Sequence, residues 1–280
     1  MESIHSSLSI FDLAAAVTAE VCPDAATAPA EPASAPAPPS AWAADRLGFR
    51  PSARQAEVLD SPARYLILCC NRQWGKSTTI AVKALHHAVH HAGHSIVVIS
   101  RTKFQAGLLI HKLVRFAAAL GFPVRRAFGE RHSLLLPNGS YILAVPHHVD
   151  TSAGNTANVL IVDEAALVSD EVFASASPFM GRTRGAIWLL STPRRQVGFF
   201  YNLWHAADAR WHRILSTVED CPDIDADFLR LQQALDPVRF RQDFYCEFIQ
   251  PSNRVIARKP VESIVDPDLD PWQIRRPGRG

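Results

Sequence analysis

Short apolar runs alternate with helical patterns along most of the chain. Residues 65–70 (YLILCC), 95–100 (SIVVIS) and 159–162 are continuous apolar runs, which predict strands buried on both faces. Between them, residues 77–92 and 104–120 carry apolar side chains at helical spacing, each followed by a glycine. This alternation predicts an α/β fold with a mostly parallel sheet flanked by helices.

A β-hairpin is predicted within residues 132–145. Asn138 and Gly139 form a favoured two-residue turn there between two β-rich runs. The later part of the chain predicts two more strands and two helices, at residues 187–190, 213–216, 225–235 and 237–248. The hairpin therefore interrupts an otherwise parallel arrangement.

Alanine and proline dominate the early part of the chain, from about residue 22 to residue 44. Such a segment neither forms regular backbone hydrogen bonds nor buries enough side chain to offset its ordering entropy. We therefore predict a disordered leader over residues 1–45 and a folded domain over residues 46–250. Residues 251–280 are interpreted as a linker or the truncated start of a C-terminal domain.

Composition narrows the class of protein. Of the 280 residues, 48% are hydrophobic and 20% are charged, values typical of a globular protein and not of a disordered chain. No apolar run approaches the roughly 20 residues needed to cross a bilayer, and no secretory signal is recognised. The five cysteines contain no Cys-x-x-Cys pair, which argues against a disulfide scaffold or thiolate zinc site and fits a reducing cytoplasm.

The strongest chemical signal is LCCNRQWGKSTT at residues 68–79, where a buried strand runs into a helix. Free N–H groups and the helix dipole at such a junction favour phosphate. We predict that Gly75 lets the backbone approach a nucleotide, Lys76 reaches the β- and γ-phosphates and Ser77 ligates Mg²⁺. Cys70 stands where the common pattern G-x-x-x-x-G-K-[ST] has its first glycine, so the loop is a variant or a chance match.

A second signal is VLIVDEAA at residues 159–166, four apolar residues followed by two adjacent acids. Ligand sites of α/β sheets lie at the carboxyl ends of strands, so we assign Asp163 to the Mg²⁺ shell. Glu164 is assigned to polarising the attacking water. Solvated acids often end strands, but the upstream phosphate loop favours a catalytic pair, in an enzyme that hydrolyses ATP itself.

Two weaker signals accompany these motifs. The segment WLLSTP ends a predicted strand in Ser191 and Thr192, whose hydroxyls could sense the γ-phosphate and pass its loss to a neighbouring surface. The same letters also suit a plain turn. Gln55 lies upstream of the loop, where its amide could pair with N6 and N7 of adenine. A surface glutamine on a first helix explains Gln55 equally well.

Residues 49–248 resemble the ATPase domain of phage terminase large subunits, the motors that package DNA into viral capsids. The resemblance rests on ordered blocks: NRQWGKST, SRTKFQA, TSAGNTANVLIVDEAA, LLSTPRRQVGFFYNLW and FRQDFYCEF. It implies a P-loop NTPase of the ASCE type, with ATP and Mg²⁺ as cofactors and residues 46–250 as the ATPase domain.

The resemblance also implies roles for individual residues. Arg72 is expected to contact the γ-phosphate in cis and to couple its loss to movement. The Ser191-Thr192 pair is expected to carry the coupling motif. The residues expected to hold the nucleotide are Gln55, Arg72, Gln73, Trp74, Gly75, Lys76, Ser77 and Thr78.

Two departures from the family pattern are visible. Ala153 precedes Gly154 where the family often has Arg-Gly. Full-length members continue into an RNase H-like nuclease domain, whose metal chemistry needs carboxylates gathered on strands. Here Asp266, Asp268 and Asp270 lie in a Pro-rich segment and are interpreted as linker acids. DNA cutting is therefore not supported by this sequence.

Partners are implied by the resemblance: double-stranded DNA, a homo-oligomeric ring, a portal and a terminase small subunit, in a bacterial host cytoplasm and without a membrane. Charge patterning favours DNA modestly. Residues 101–131 contain seven Lys or Arg against one acid, and residues 182–213 contain six arginines. Phosphate contacts without base readout need such clusters, although solvated helix faces would look the same.

Five histidines follow the phosphate loop, at positions 86, 87, 90, 91 and 94. Pairs at i and i+4 can bind a transition metal. Because no acid lies nearby and the helix is Ala-rich, we interpret them as an exposed histidine face.

Three functions stay open from the sequence. The first is a Mg²⁺-dependent ATPase motor that translocates double-stranded DNA. The second is a helicase-like DNA-dependent ATPase unrelated to packaging, which would need single strands or forks. The third is a truncated, prophage-derived remnant that binds nucleotide or DNA without motor work, which Ala153 and the missing nuclease would favour.

Overall fold

The computed structural model describes residues 37–146 and 156–250. The helices are α1 Pro39–Leu47, α2 Ala53–Asp60, α3 Lys76–His90, α4 Lys103–Ala119, α5 Asp170–Ala176, α6 Phe199–His205, α7 Ala226–Leu235 and α8 Pro237–Tyr245. The strands are β1 Tyr65–Cys70, β2 Ser95–Ser100, β3 Ser133–Leu135, β4 Tyr141–Pro146, β5 Val159–Asp163, β6 Ala186–Ser191 and β7 Trp211–Ser216.

The strands form one seven-stranded sheet in the order β3-β4-β2-β5-β6-β1-β7. All neighbouring pairs are parallel except β3 and β4, which form an antiparallel pair at one edge. The predicted mostly parallel sheet and its β-hairpin are both confirmed. The carboxyl ends of β1, β5 and β6, which carry the chemical signals, therefore meet at one edge of the sheet.

Helices cover both faces of the sheet. Side chains of β1 alternate in direction, so Leu66 and Leu68 join the apolar cluster under α1 to α4. Ile67 and Cys69 join the cluster on the opposite face, which includes residues of α6. All four side chains are fully buried. This two-sided burial explains why the strands appear in the sequence as unbroken apolar runs.

Helix α1 lies in the segment predicted as a leader, so that prediction is wrong for residues 39–45. Pro39 occupies the first turn, where a missing N–H costs nothing. Trp42 is 8% exposed and packs edge-on against His86, with ring centroids 5.1 Å apart. Ser40 bonds to the Asp60 carboxylate of α2. Burial of Trp42 and the bonds of Ser40 to Asp60 together hold in place a segment whose composition indicates disorder.

Helix α3 ends at His90, two residues before its predicted end. The side-chain amide of Asn138, in the hairpin turn, donates to the carbonyls of Ala88 and Val89. These contacts supply partners for carbonyls that the end of a helix leaves free. The hairpin therefore caps α3. No helix within the described ranges is long and apolar enough to cross a membrane.

Candidate nucleotide-binding site

The junction between β1 and α3 has the backbone geometry of a tight phosphate loop. Gly75 precedes the first residue of α3 and has φ +92°, a conformation that side chains rarely adopt. A Cβ at this position would lie 2.9 Å from Nε2 of Gln55. Gln73 also has a positive φ, of 65°. The loop thus turns sharply and presents the free N–H groups of the first turn of α3 at the sheet edge.

The Trp74 side chain anchors the loop to the end of β7. Its side chain is 3% exposed, and Nε1 donates to Ser216 Oγ at the end of β7, at 2.7 Å. The Ser216 hydroxyl donates in turn to Asp220 Oδ2 at 3.1 Å. The indole therefore faces the core, which leaves only the backbone of Trp74 for the predicted nucleotide contact.

Gln55 supports the same loop through its side-chain amide. Nε2 donates to the Trp74 carbonyl at 2.8 Å, and Oε1 accepts from the Ser52 backbone N–H at 3.0 Å. Both ends of the amide are thus engaged within the protein. The adenine contact of Gln55 stays a prediction, and the loop contact is a role that the sequence did not suggest.

Lys76 joins the loop to the two other motifs. Its ammonium donates to Thr192 Oγ1 at 3.0 Å and lies 4.0 Å from Glu164 Oε1. It also donates to the Asn71 carbonyl at 3.4 Å. The side chain of Lys76 is 10% exposed. The structure therefore brings the lysine, the acidic strand end and the Ser-Thr pair together, as their motifs predict.

The two acids differ in environment. Asp163 is 6% exposed, and burial together with the adjacent Glu164 carboxylate raises its pKa to about 6, against the opposing effect of Lys76. Glu164 has φ +55°, and its N–H donates to Asp163 Oδ1 at 3.1 Å. A non-glycine residue held at positive φ is strained and is often found at functional sites. The Glu164 carboxylate lies 4.0 Å from the Lys76 ammonium.

Ser191 and Thr192 touch different parts of the site. Ser191 Oγ accepts from the Ala166 N–H at 3.1 Å, in the turn that follows Glu164. Thr192 accepts from Lys76. The segment that follows Thr192 is hydrogen-bonded to Ile249, near the end of the domain: the Ile249 N–H donates to the Arg194 carbonyl at 2.9 Å. The Ser-Thr pair thus contacts the candidate site and is followed by a segment that pairs with Ile249.

Lys112 is a site residue that the motifs did not reveal. It lies on α4, and its ammonium donates to Thr78 Oγ1 at 2.9 Å. The sequence places Lys112 only in a basic stretch, so nothing local distinguishes it from an exposed lysine. The Ser77 side chain is half-buried in the first turn of α3, next to Thr78. Lys112 adds a second ammonium beside this turn.

Arg72 contacts an acid of α8. Its Nε lies 2.9 Å from Asp243 Oδ2, and its backbone N–H donates to the Asp243 carbonyl at 2.8 Å. Asp243 is buried and also meets Arg239 Nε at 3.2 Å and Arg194 Nη1 at 3.6 Å. Arg72, which the resemblance assigns to the γ-phosphate, is therefore held by a carboxylate in this structure. Asp243 lies in the block FRQDFYCEF, but the sequence predicted no role for it.

We expect the substitution Asp243→Asn to tighten ATP binding severalfold. Asp243 would compete with a phosphate for the Arg72 guanidinium, and the neutral amide holds the guanidinium less strongly. The effect is limited because the Arg72 side chain is 44% exposed, so solvent screens the pair. Calorimetric titration with a non-hydrolysable ATP analogue measures the change.

A double-mutant cycle tests whether this gain depends on Arg72. In an Arg72→Ala background, Asp243→Asn is expected to leave the affinity unchanged. The control is Arg239→Ala, which removes another arginine partner of Asp243 without touching the loop. Unchanged or weaker binding by a folded Asp243→Asn chain would contradict the competition.

The fold and the site together define a P-loop NTPase of the ASCE type. Strand β6 stands between β1, which leads into the loop, and β5, which ends in the acids. The class predicted from sequence is therefore confirmed. A family model narrows this class further. The model, described as "Terminase large subunit, T4likevirus-type, N-terminal", matches residues 68–262, so the chain belongs to this family.

Individual proteins that are similar to this chain are also terminase large subunits by name. The terminase large subunit of Thermus virus P23-45 is 23% identical, over 75% of this chain and 51% of that protein. A probable terminase large subunit of Enterobacteria phage P7 is 26% identical, over 69% of this chain and 44% of that protein. The chain thus spans about half the length of the curated relatives it matches.

Solved structures show the same fold. The large terminase ATPase domain of Thermus phage P74-26 has a TM-score of 0.65 at 21% identity, covering 76% of this chain and all of that domain. The large terminase of a thermophilic bacteriophage, in complex with ATP-γ-S, has a TM-score of 0.60 at 15% identity, covering 71% of this chain and 53% of that one. Ala153, Gly154 and the three tail aspartates lie outside the described residues.

Proposed function

We propose that this chain is the ATPase motor of a terminase large subunit, and that it hydrolyses ATP with Mg²⁺ to translocate double-stranded viral DNA. The observation that carries the proposal is the position of Lys76. Its ammonium lies between the Thr192 hydroxyl and the Glu164 carboxylate, which come from different strands. One cation therefore links the predicted phosphate loop, the predicted catalytic acid and the predicted coupling pair.

The residues at this edge suit ATP and Mg²⁺. The loop offers the N–H groups of the first turn of α3, and Lys76 offers an ammonium for the phosphates. Ser77 and Asp163 would hold Mg²⁺, since a hydroxyl and a carboxylate are the hard oxygen ligands that this ion prefers. The buried Asp163 carboxylate, beside Glu164, also benefits from a divalent cation. When bound, Mg²⁺ supplies neutralisation of negative charge on the phosphate oxygens.

Glu164 acts as the group that orients and polarises the attacking water. Its side chain is 24% exposed, so a water molecule can reach the carboxylate while Lys76 stays nearby. In this proposal Arg72 leaves Asp243 and contacts the γ-phosphate in cis. Thr192 senses the γ-phosphate indirectly, because Lys76 contacts both the phosphate and the Thr192 hydroxyl. The pairing of Arg194 with Ile249 then carries the change toward the end of the domain.

Exposed basic residues support contact with DNA phosphates. Within residues 101–131, six of the seven Lys and Arg side chains are exposed: Arg101, Lys103, Arg115, Arg125, Arg126 and Arg131. The second basic stretch, residues 182–213, has fewer guanidinium groups available for DNA. The Arg213 guanidinium bonds to backbone carbonyls, and Arg194 faces Asp243. We therefore propose residues 101–131 as the DNA-facing part. A homo-oligomeric ring, a portal and a terminase small subunit follow as proposed partners from the family.

ATP turnover in Mg²⁺ buffer tests the proposal. The full 280-residue chain is assayed alone, with linear duplex DNA and with single-stranded DNA of equal length. We expect measurable turnover that duplex DNA stimulates, and a stimulation that falls steeply as salt rises. Chelation of Mg²⁺ by EDTA is the control and is expected to stop turnover.

The other outcomes identify the alternatives. Greater stimulation by single strands or forked DNA would indicate a helicase-like ATPase. ATP binding without turnover under every condition would leave a remnant that binds nucleotide but performs no motor work.

A further inference from the structure

The five histidines after the phosphate loop separate into two groups in the structure. His86 is 9% exposed, so the predicted exposed histidine face is wrong at this position. His86 and His90 pack against Trp42 of α1, with ring centroids 5.1 and 5.9 Å away. The other three histidines, His87, His91 and His94, contact one another.

His87, His91 and His94 form a compact set of imidazoles. One ring nitrogen from each lies within 4.8 Å of the others, and this is the one such group of potential metal ligands within residues 37–146 and 156–250. His87 Nε2 and His94 Nδ1 are 3.0 Å apart. Nitrogens bound to a tetrahedral Zn²⁺ lie about 3.3 Å apart, given bonds of about 2.0–2.1 Å. The closest pair is therefore already near the spacing that a metal needs.

The third histidine carries the tautomer that a metal requires. His91 Nδ1 lies 2.9 Å from the His87 carbonyl, to which it can only donate. A neutral His91 ring therefore keeps its lone pair on Nε2, and the backbone carbonyl is the outer partner that metal-binding histidines usually have. His91 stacks on His87 with ring centroids 4.1 Å apart. On metal binding the distances between the ligand nitrogens, which are at most 4.8 Å, must shorten to about 3.3 Å, and the exposed His91 side chain can make this adjustment.

The surroundings accept a cation. His87 and His91 lie at the C-terminal end of α3, where the helix dipole favours positive charge. The nearby Lys83 ammonium opposes a second cation, but it is held by the carbonyls of Leu59 and Ser61. An adjoining cavity of about 620 Å³ leaves room for water ligands.

We propose that His87, His91 and His94 form a binding site for a first-row divalent transition metal such as Zn²⁺. Three imidazoles suit Zn²⁺, Ni²⁺, Cu²⁺ and Co²⁺, whereas Mg²⁺ and Ca²⁺ prefer oxygen ligands. The metal links the end of α3 to the residue that precedes β2. The site lies at the other end of α3 from the phosphate loop, and a 15-residue helix is about 22 Å long. Metal binding is thus separate from nucleotide binding.

Calorimetric titration of the untagged chain with Zn²⁺ tests the site, and Co²⁺ absorption reports the coordination geometry. We expect one Zn²⁺ per chain, a rise in melting temperature on binding and no binding of Mg²⁺ at this site. The triple variant His87→Ala/His91→Ala/His94→Ala is expected to lose at least about 100-fold in affinity, more than the loss of an outer partner costs. His111→Ala, an exposed histidine of α4, is the control and is expected to leave affinity unchanged.

A second variant protects the test against misfolding. The single substitution His91→Ala removes an exposed ring, so the chain is expected to fold and still to bind Zn²⁺ much more weakly. ATP binding by the same variant is expected to be unchanged. Equal Zn²⁺ affinity of the unaltered chain and the folded His91→Ala and triple variants would overturn the proposal, as would a Co²⁺ spectrum without nitrogen coordination.

Discussion

ATP turnover by the Glu164→Gln chain is expected to fall by about 10³-fold, while ATP still binds. The amide keeps the size of the side chain but removes the negative charge that polarises water. Glu164 is suited to this role because its side chain is 24% exposed, so that water can reach the carboxylate, which lies 4.0 Å from Lys76 Nζ. Single-turnover kinetics measure the chemical step, and calorimetry measures binding separately.

Glu171→Gln is the matched control for this prediction. It is the same change at an exposed position of α5, and its turnover is expected to equal that of the unaltered chain. If Glu164→Gln retains more than about a tenth of the normal rate, Glu164 is not the group that activates water. Loss of ATP binding together with turnover would instead indicate a structural role for the carboxylate.

The core of the site could be predicted from sequence because its parts are local. Gly75 and Lys76 lie at a strand-to-helix junction, and that junction alone creates the free N–H groups and the dipole. The meeting of Lys76 with Glu164 follows from one further rule, that parallel strands end at a shared sheet edge. The apolar runs indicated the strands, so the edge could be predicted as well.

The supporting contacts could not be predicted, since each depends on packing between distant segments. Trp74 looks like a loop residue, yet its indole is buried against Ser216. Asp243 lies on α8 without a predicted role, and only tertiary structure brings it to Arg72. Lys112 is one basic residue among several until α4 is placed beside α3. The positive φ of Glu164 is also invisible, because no glycine marks it.

Helix α1 also could not be predicted from sequence, because its order depends on tertiary contacts. Its composition is that of a disordered segment, but Trp42 and Ala43 are buried in the apolar cluster that also contains residues of α3. Burial of a large aromatic side chain is worth a few kcal/mol, which offsets the ordering of only one or two residues, so the packing of Ala43 and Leu47 and the bonds of Ser40 to Asp60 contribute as well. Composition therefore locates the boundary of a domain only to within a helix of this length.

The chain with Lys76→Ala is expected to bind ATP at least about 100-fold more weakly and to have no measurable turnover. Each hydrogen bond between an ammonium and a phosphate is worth roughly 1.5–3 kcal/mol, and Lys76 is expected to reach two phosphates. The substitution also removes the cation that lies between Thr192 and Glu164. Thr192 would then lose its link to the phosphate loop. Fluorescent-nucleotide titration and steady-state turnover measure both effects.

Lys83→Met is the matched control, since Lys83 is a second buried lysine on α3. Its ammonium bonds to the carbonyls of Leu59 and Ser61 and lies 4.9 Å from the centre of the Trp188 ring. Its loss is expected to lower the melting temperature, because two carbonyls lose their partner, while the folded chain keeps its ATP affinity. Lys76→Ala is expected to show the reverse pattern. If both variants lose ATP affinity in proportion to stability, Lys76 only supports the fold, and the proposed nucleotide site is wrong.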